Sequence, residues 1–395
     1  MKLKNIIKKG LSDSFIIWRT ELNHVFKDMG VVIFFLVVPL AYPLIYGLIY
    51  NPETIHEVPL VVVDQSHSSI AREFVRKIDA TPDVHVYMYA SDMEEAIEIV
   101  KKKEAYGILL IPYEFSQDIH RGIQTTVSLY CDMSGMLFYK AILLATTEAS
   151  LEMGKVVNVS ASDVPIPYES VSLYNTQNGF ASFLVPAILV LVIQQTLLLG
   201  IGMLAATDRE KSPHGRMVPP GSLYEGTIRV VFGKALAYLS IYVFVCLWAL
   251  VIVPYIFGLP QIAPYGSILL FTLPYLLACI FISMAVSGLV RGRETPMMLF
   301  VVSSLPLLFL SGVSWPASAI PPFWKWISYL FPSTFGIQGY IKLNTMGATL
   351  SEVALEYRVL WLQTGIYFLI TCLMYRYQIK RRATERKKLK LFQKK

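Results

Sequence analysis

The 395-residue sequence predicts an α-helical polytopic membrane protein with six transmembrane helices and an extracytoplasmic α/β domain inserted after the first of them. Three observations carry this reading. One apolar run covers Val31–Tyr50, a polar stretch occupies residues 51–178, and five further runs crowd residues 180–375. A helix needs about 20 residues to cross a hydrocarbon core, so each run is a candidate span. The chain is 54% hydrophobic and 16% charged, with a mean hydropathy of +0.51, which excludes an ordinary soluble enzyme. Lys and Arg recur in every second segment. They fall before the first span, around the join of the second and third, at Arg291 and Arg293, and from Arg376 onward. The positive-inside rule then places both termini in the cytoplasm and residues 51–178 and 315–357 outside. The net charge of +7 is accordingly a topology signal with scope for membrane-lipid contact, and nucleic-acid binding is not expected.

Residues 1–30 form a cytoplasmic amphipathic segment. Leu11, Phe15, Trp18, Leu22, Val25 and Met29 recur at helical steps, with Asp13, Arg19, Asn23, His24 and Lys27 on the other faces. Such a helix lies in the membrane interface, as a simple anchor or as a partner contact. It is not a secretory signal, because Phe15–Trp18 is too short an apolar core and no small-residue cleavage site follows the later span. The first span, residues 31–50, carries Pro39 and Pro43 with Tyr42 and Tyr46 beside them. Proline bends a helix and frees carbonyls that other helices or water must meet, so this span faces protein or a translocation path.

Residues 51–178 alternate β-rich runs (Val58–Val63, Val84–Tyr89, Tyr106–Ile111, Val127–Tyr130) with helical stretches near Ser68–Asp79, Asp92–Lys103 and Glu114–Arg121. That alternation argues for an α/β domain with a parallel or mixed sheet. Asp64 after the first strand has no Gly-rich phosphate loop beside it, which weakens a nucleotide-binding reading. Met136–Ala145 reads as a packed helix leading back to the membrane. Residues 179–376 form a five-helix block, with spans near Phe180–Ala205, Val230–Phe257, Ile268–Val290, Met297–Val313 and Leu360–Tyr375. Between the last two, residues 315–345 are rich in Pro and aromatics, including Trp315, Trp324 and Trp326, and predict a short outer re-entrant or interfacial pair of helices. A basic cytoplasmic tail, residues 377–395, closes the chain.

The spans are poor in carboxylates. No Asp or Glu lies between Glu225 and Glu294, nor between Glu294 and Glu352, and the first two spans hold none. Coupling to an ion gradient normally needs ionisable groups at membrane depth, so it is disfavoured. Gly233-Lys234 is not preceded by the rest of a phosphate-binding loop, so ATP hydrolysis by this chain is not expected and no cofactor of its own is implied. The six His and four Cys show no metal-ligand spacing. Cys131 stands alone in the polar domain, so a disulfide framework is not expected either. Residues 207–229 are a candidate coupling loop. Asp208, Arg209, Glu210 and Lys211 read as a charged turn followed by Gly215 and Arg216, although loop composition alone equally describes a solvated segment. Gln194 and Gln195 sit mid-span, where buried amides seek interhelical partners. With Tyr42 and Tyr46 they are also the candidates for a substrate path.

Leu310-Ser311-Gly312 followed by Pro316, Pro321 and Pro332 resembles the outer re-entrant signature of ABC-2 type transporter permeases. Val61-Val62-Val63-Asp64 with Ser66 and Ser69, and Gly107–Pro112 with Phe115, Ser116 and Gly122, are similar to the outer domain of the multidrug-efflux branch. The resemblance spans nearly the whole chain in order. It implies a permease half of an exporter of amphiphilic or drug-like substrates in a bacterial inner membrane. A second permease half, identical or not, would complete it. Two cytoplasmic ABC ATPases would hold ATP and Mg, and a periplasmic adaptor of the membrane-fusion type would dock on the outer domain. The segment after the second span departs from that family's usual pattern: a second acidic position is missing and Pro213 intervenes. The alternative is a membrane-anchored extracytoplasmic binding or scaffold protein without transport activity.

Overall fold

The computed structural model describes residues 2–50, 55–133, 135–157, 179–212, 226–290 and 292–392. These divide into two compact units, an all-helical one (residues 1–51 and 173–395) and an α/β one (residues 52–172). Helix α1, Lys2–Lys27, opens the first unit and is followed by α2, Met29–Ile49, which takes one π-helical turn at Ile33–Val37. The carbonyl of Leu40 accepts a hydrogen bond from Trp248 Nε1 at 3.0 Å, which ties α2 to a neighbouring helix.

The α/β unit runs β1 (Val58–Asp64), α3 (Ser69–Asp79), β2 (Val84–Tyr89), α4 (Met93–Lys101), β3 (Gly107–Ile111), α5 (Phe115–His120), β4 (Ser128–Cys131) and α6 (Met136–Val157). The sheet is mixed, in the order β2-β1-β3-β4, with β1 parallel to both neighbours and β4 antiparallel to β3. β1 is central and both its faces are covered, which is why it is a nearly continuous apolar run. Leu60 and Val62 pack with Phe74 and Ile78 of α3 and Ile142 of α6, while Val61 and Val63 pack with Ala96 and Ile99 of α4. Ser68 caps α3 by accepting from the Ala71 amide, and Asp92 caps α4 by accepting from Glu95, at 3.0 and 2.8 Å. Asp64 accepts from the amides of Ser66 and His67 and so shapes the turn after β1. That is a structural task. α6 is 22 residues long, twice the reach expected from its apolar stretch alone.

The helical unit continues with α7 (Phe180–Lys211), α8 (Thr227–Ile256), α9 (Tyr265–Ser287), α10 (Glu294–Leu310), α11 (Pro322–Ser328), α12 (Pro332–Asn344) and α13 (Ala354–Phe392). Among the described residues five helices are long and apolar enough to cross a membrane: α2, α7, α8, α9 and α13. α10 is apolar but has 17 residues, so the structure supports five full-length candidates where the sequence predicts six. α7 is the central post, with 83% of its apolar window enclosed by other helices, against 22% for α2. α13 begins six residues before the predicted span and takes in Glu356, which is 3% exposed and paired with Lys342 at 2.6 Å. The last span is therefore not free of carboxylates, because the helix extends past the apolar run that marked it.

Candidate coupling site

Asp13, Ile17, Glu21 and Val25 recur every four residues along α1, and this stripe is buried. Leu11, Phe15 and Met29 of the apolar stripe are largely exposed. Arg19, Asn23 and Lys27 are exposed as expected, but Asp13 of the polar face is buried, and the buried stripe mixes two acids with Ile17 and Val25. α1 lies against the first turns of α8: Asp13 pairs with Arg229, Ile17 sits over Gly233, and Glu21 reaches Lys234 and Tyr238. The pairs advance in the same sense on both helices, so the two run parallel. A Cβ at position 233 would stand 2.8 Å from Ile17 and from the Ser14 carbonyl, so only glycine allows this approach.

Among the described residues the Glu21–Lys234 pair is the most enclosed ionic contact, at 2.8 Å with both side chains 5% exposed. Tyr238 donates its hydroxyl to the same carboxylate. Asp208 of α7 approaches Lys234 at 3.7 Å and His24 of α1 at 4.0 Å. One turn on, Asp28 joins the end of α1 to two other elements. Its carboxylate accepts from Thr207 Oγ1 at 3.0 Å and from Arg293 at 2.7 Å, and Arg293 also donates to Thr207 Oγ1. Arg209 donates to the carbonyls of Val290 and, at 2.5 Å, Gly288, satisfying the end of α9 as a cation at a helix C-terminus does. Glu210 lies 3.6 Å from Arg293.

These contacts correct the local reading of residues 208–211. They are not a charged turn: α7 runs unbroken through Lys211, because the turn's charges find partners on α1, α8 and the link before α10. Glu210 and Lys211 are exposed, whereas Asp208 and Arg209 face inward. Gly215 and Arg216 lie outside the described residues. Asp13, Glu21, Asp28, Lys234 and Arg293 join the site without having been singled out in the sequence. The detectable signal was the four-residue recurrence of acids and β-branched residues on α1.

The motif read from the sequence as outer and re-entrant is built as a helix stop and restart. Leu310 ends α10, Ser311 is buried, and Gly312 takes φ +88°, the left-handed conformation that closes a helix. Pro316 lies in the link, Pro321 precedes α11, and Pro332 is the first residue of α12. Gln338 of α12 donates to the Ser311 carbonyl at 3.1 Å. Gln194 accepts from the Ser333 amide at 2.7 Å, supplying the buried start of α12 with the acceptor its first turn lacks. Gln195 meets Ser303 of α10 at 3.2 Å. Tyr42 and Tyr46 meet along α2 with tilted rings, their centroids 5.9 Å apart. The two glutamines thus turn to bundle contacts and the two tyrosines to each other.

Residues 29–373 match the family model of the ABC-2 family transporter protein. The chain belongs to this family. With its long apolar helices, membership makes it a multi-pass membrane protein. Among curated relatives, ABC transporter G family member 20 of Dictyostelium discoideum is 22% identical over 366 residues, 89% of this chain and 48% of that one. G family member 23 of the same organism is 20% identical over 78% of this chain and 43% of its own. This ABC-2 chain therefore spans less than half the length of either. The linearmycin resistance permease protein LnrN of Bacillus subtilis is 22% identical over 84% of this chain and 91% of its own.

Proposed function

We propose that this chain is the membrane-spanning permease subunit of an ATP-driven exporter of amphiphilic or drug-like substrates in a bacterial inner membrane. The observation that carries the reading is the ionic array joining α1 to α7, α8 and the start of α10. A push on α1 is transmitted to three candidate gate helices through paired charges. ABC ATPase subunits, holding ATP and Mg, supply that push, with the exposed Glu210 and Lys211 beside α1 as their foothold. A second permease half completes the path, and the α/β unit, placed outside, receives a periplasmic adaptor. The name of the Bacillus relative, a linearmycin resistance permease, supports a permease role for this chain.

The test is ATP-dependent movement of a lipophilic fluorescent dye in inverted vesicles carrying the chain with and without a co-expressed ABC ATPase. Uptake requiring both proteins and ATP supports the reading. ATPase association with no dye movement, or dye movement without ATP, counts against it and would favour a scaffold or a gradient-driven carrier respectively.

A further inference from the structure

The face formed by the start of α8 and the lower half of α13 carries a groove of about 490 Å³. It has an apolar end and a cationic end. Ile228, Leu369 and Leu373 line it and are 66, 61 and 66% exposed, which in a multi-pass membrane protein means they face acyl chains. Leu369, Leu373 and Arg376 follow one another at helical steps of four and three, so the apolar wall ends at a guanidinium about 10 Å further along α13. Arg376 is exposed and has neither a hydrogen bond nor an ion pair among the described residues.

The opposite wall is as electropositive. α8 begins at Gly226 with no side-chain cap and no acid in its first turn, so its free amides present the positive end of the helix dipole. Arg229 folds back over that end: its Nε and Nη2 lie 2.6 and 3.1 Å from where a Cβ on residue 226 would stand. A cation at a helix N-terminus is unfavourable without an anion beside it. Asp13, bound to one nitrogen of Arg229, is the one carboxylate paired with either guanidinium among the described residues.

From this we infer that the groove is a binding site for an anionic phospholipid, its phosphate between Arg229 and Arg376 and an acyl chain along Leu369 and Leu373. The inference is independent of the export reading, since it concerns lipid retention alone. A second copy of the chain is a poorer occupant, because it would set one basic rim against another.

The test uses the full chain, purified in a non-ionic detergent and titrated with palmitoyl-oleoyl phosphatidylglycerol or phosphatidylcholine, with bound lipid counted by native mass spectrometry. The wild type is expected to retain the anionic lipid preferentially. Arg376→Gln should lower that retention about fivefold, as one interfacial cation warrants, and Arg376→Lys should recover most of it. Glycerol phosphate, which has the head and no chain, should not displace the lipid. Equal retention of the two lipids, no effect of Arg376→Gln, or displacement by glycerol phosphate would each overturn the inference. So would a dimer peak that Leu373→Gln abolishes while lipid retention stays unchanged. Because Arg376 is exposed, its substitution leaves the fold intact, and an unchanged thermal midpoint verifies this.

Discussion

At the scale of single residues, the costliest contact is Glu21 with Lys234. Two charges removed from water are tolerable only while paired, and losing one partner strands the other. Lys234 keeps a second, longer contact to Asp208 at 3.7 Å, which softens the loss. Glu21→Leu is expected to destabilise the purified chain by about 3 kcal/mol, the lower end for a broken buried pair. Adding Lys234→Met should return much of that loss, since it removes the stranded charge. Thermal unfolding of the two variants in one detergent checks both statements, and a single variant melting at the wild-type temperature would refute the assignment. Lys234 also shows why sequence alone undervalued this site. Next to Gly233 it reads as a fragment of a phosphate loop that lacks the rest, but its role is set by Glu21, 213 residues away.

Elements were legible where their sequence periodicity matches a one-sided burial that any folded chain needs. The four strands of the α/β unit fall within about two residues of the runs read from Val58, Val84, Tyr106 and Val127, because β-branched residues between turn signals have few alternatives. α1 is the instructive contrast. Its helical period was plain, but its buried face was not. In a protein surrounded by lipid Leu11, Phe15 and Met29 point outward while Asp13 and Glu21 join Ile17 and Val25 on the inward stripe, so the rule learned from soluble helices holds only in part. Gly233→Leu is expected to push α1 off α8, since the clash includes the Ser14 backbone as well as a movable side chain. In a complex with the ABC ATPase proposed as its partner, that variant should lose substrate-stimulated ATP turnover while retaining basal turnover. Stimulation at the wild-type level would show that the contact does not transmit motion. α12 offers a second case. Gln194→Leu removes the acceptor of the buried Ser333 amide, at a cost of about 1–3 kcal/mol. Hydrogen exchange should accelerate in residues 333–336 ahead of the rest of α12, and uniform protection would argue that another group takes over.

For the molecule as a whole the open quantity is parity. Five crossings put the two ends of the chain on opposite faces of the membrane, and six put them on the same face. The deciding element is α10, whose 17 residues span about 25 Å of a hydrocarbon core of about 30 Å. The basic segments argue for six, with α10 crossing and its shortfall met by the link from Ser311 to α11. Single cysteines resolve this in intact cells with a membrane-impermeant maleimide. Lys27→Cys and Lys380→Cys, at exposed positions before α2 and on α13, should both react only after permeabilisation, and Glu104→Cys in the α/β unit should react before it. The native Cys131 adds little background at neutral pH. Burial pushes its thiol up to about 11, and the thiolate is the reactive form. Its labelling should therefore rise about tenfold for each pH unit until that value is reached, whereas an exposed cysteine levels off near pH 9. If Lys380→Cys reacts from outside while Lys27→Cys does not, α10 turns back without crossing and the protein has five spans. If Glu104→Cys reacts only after permeabilisation, the α/β unit faces the cytoplasm, and the adaptor proposed for it must give way to a cytoplasmic partner.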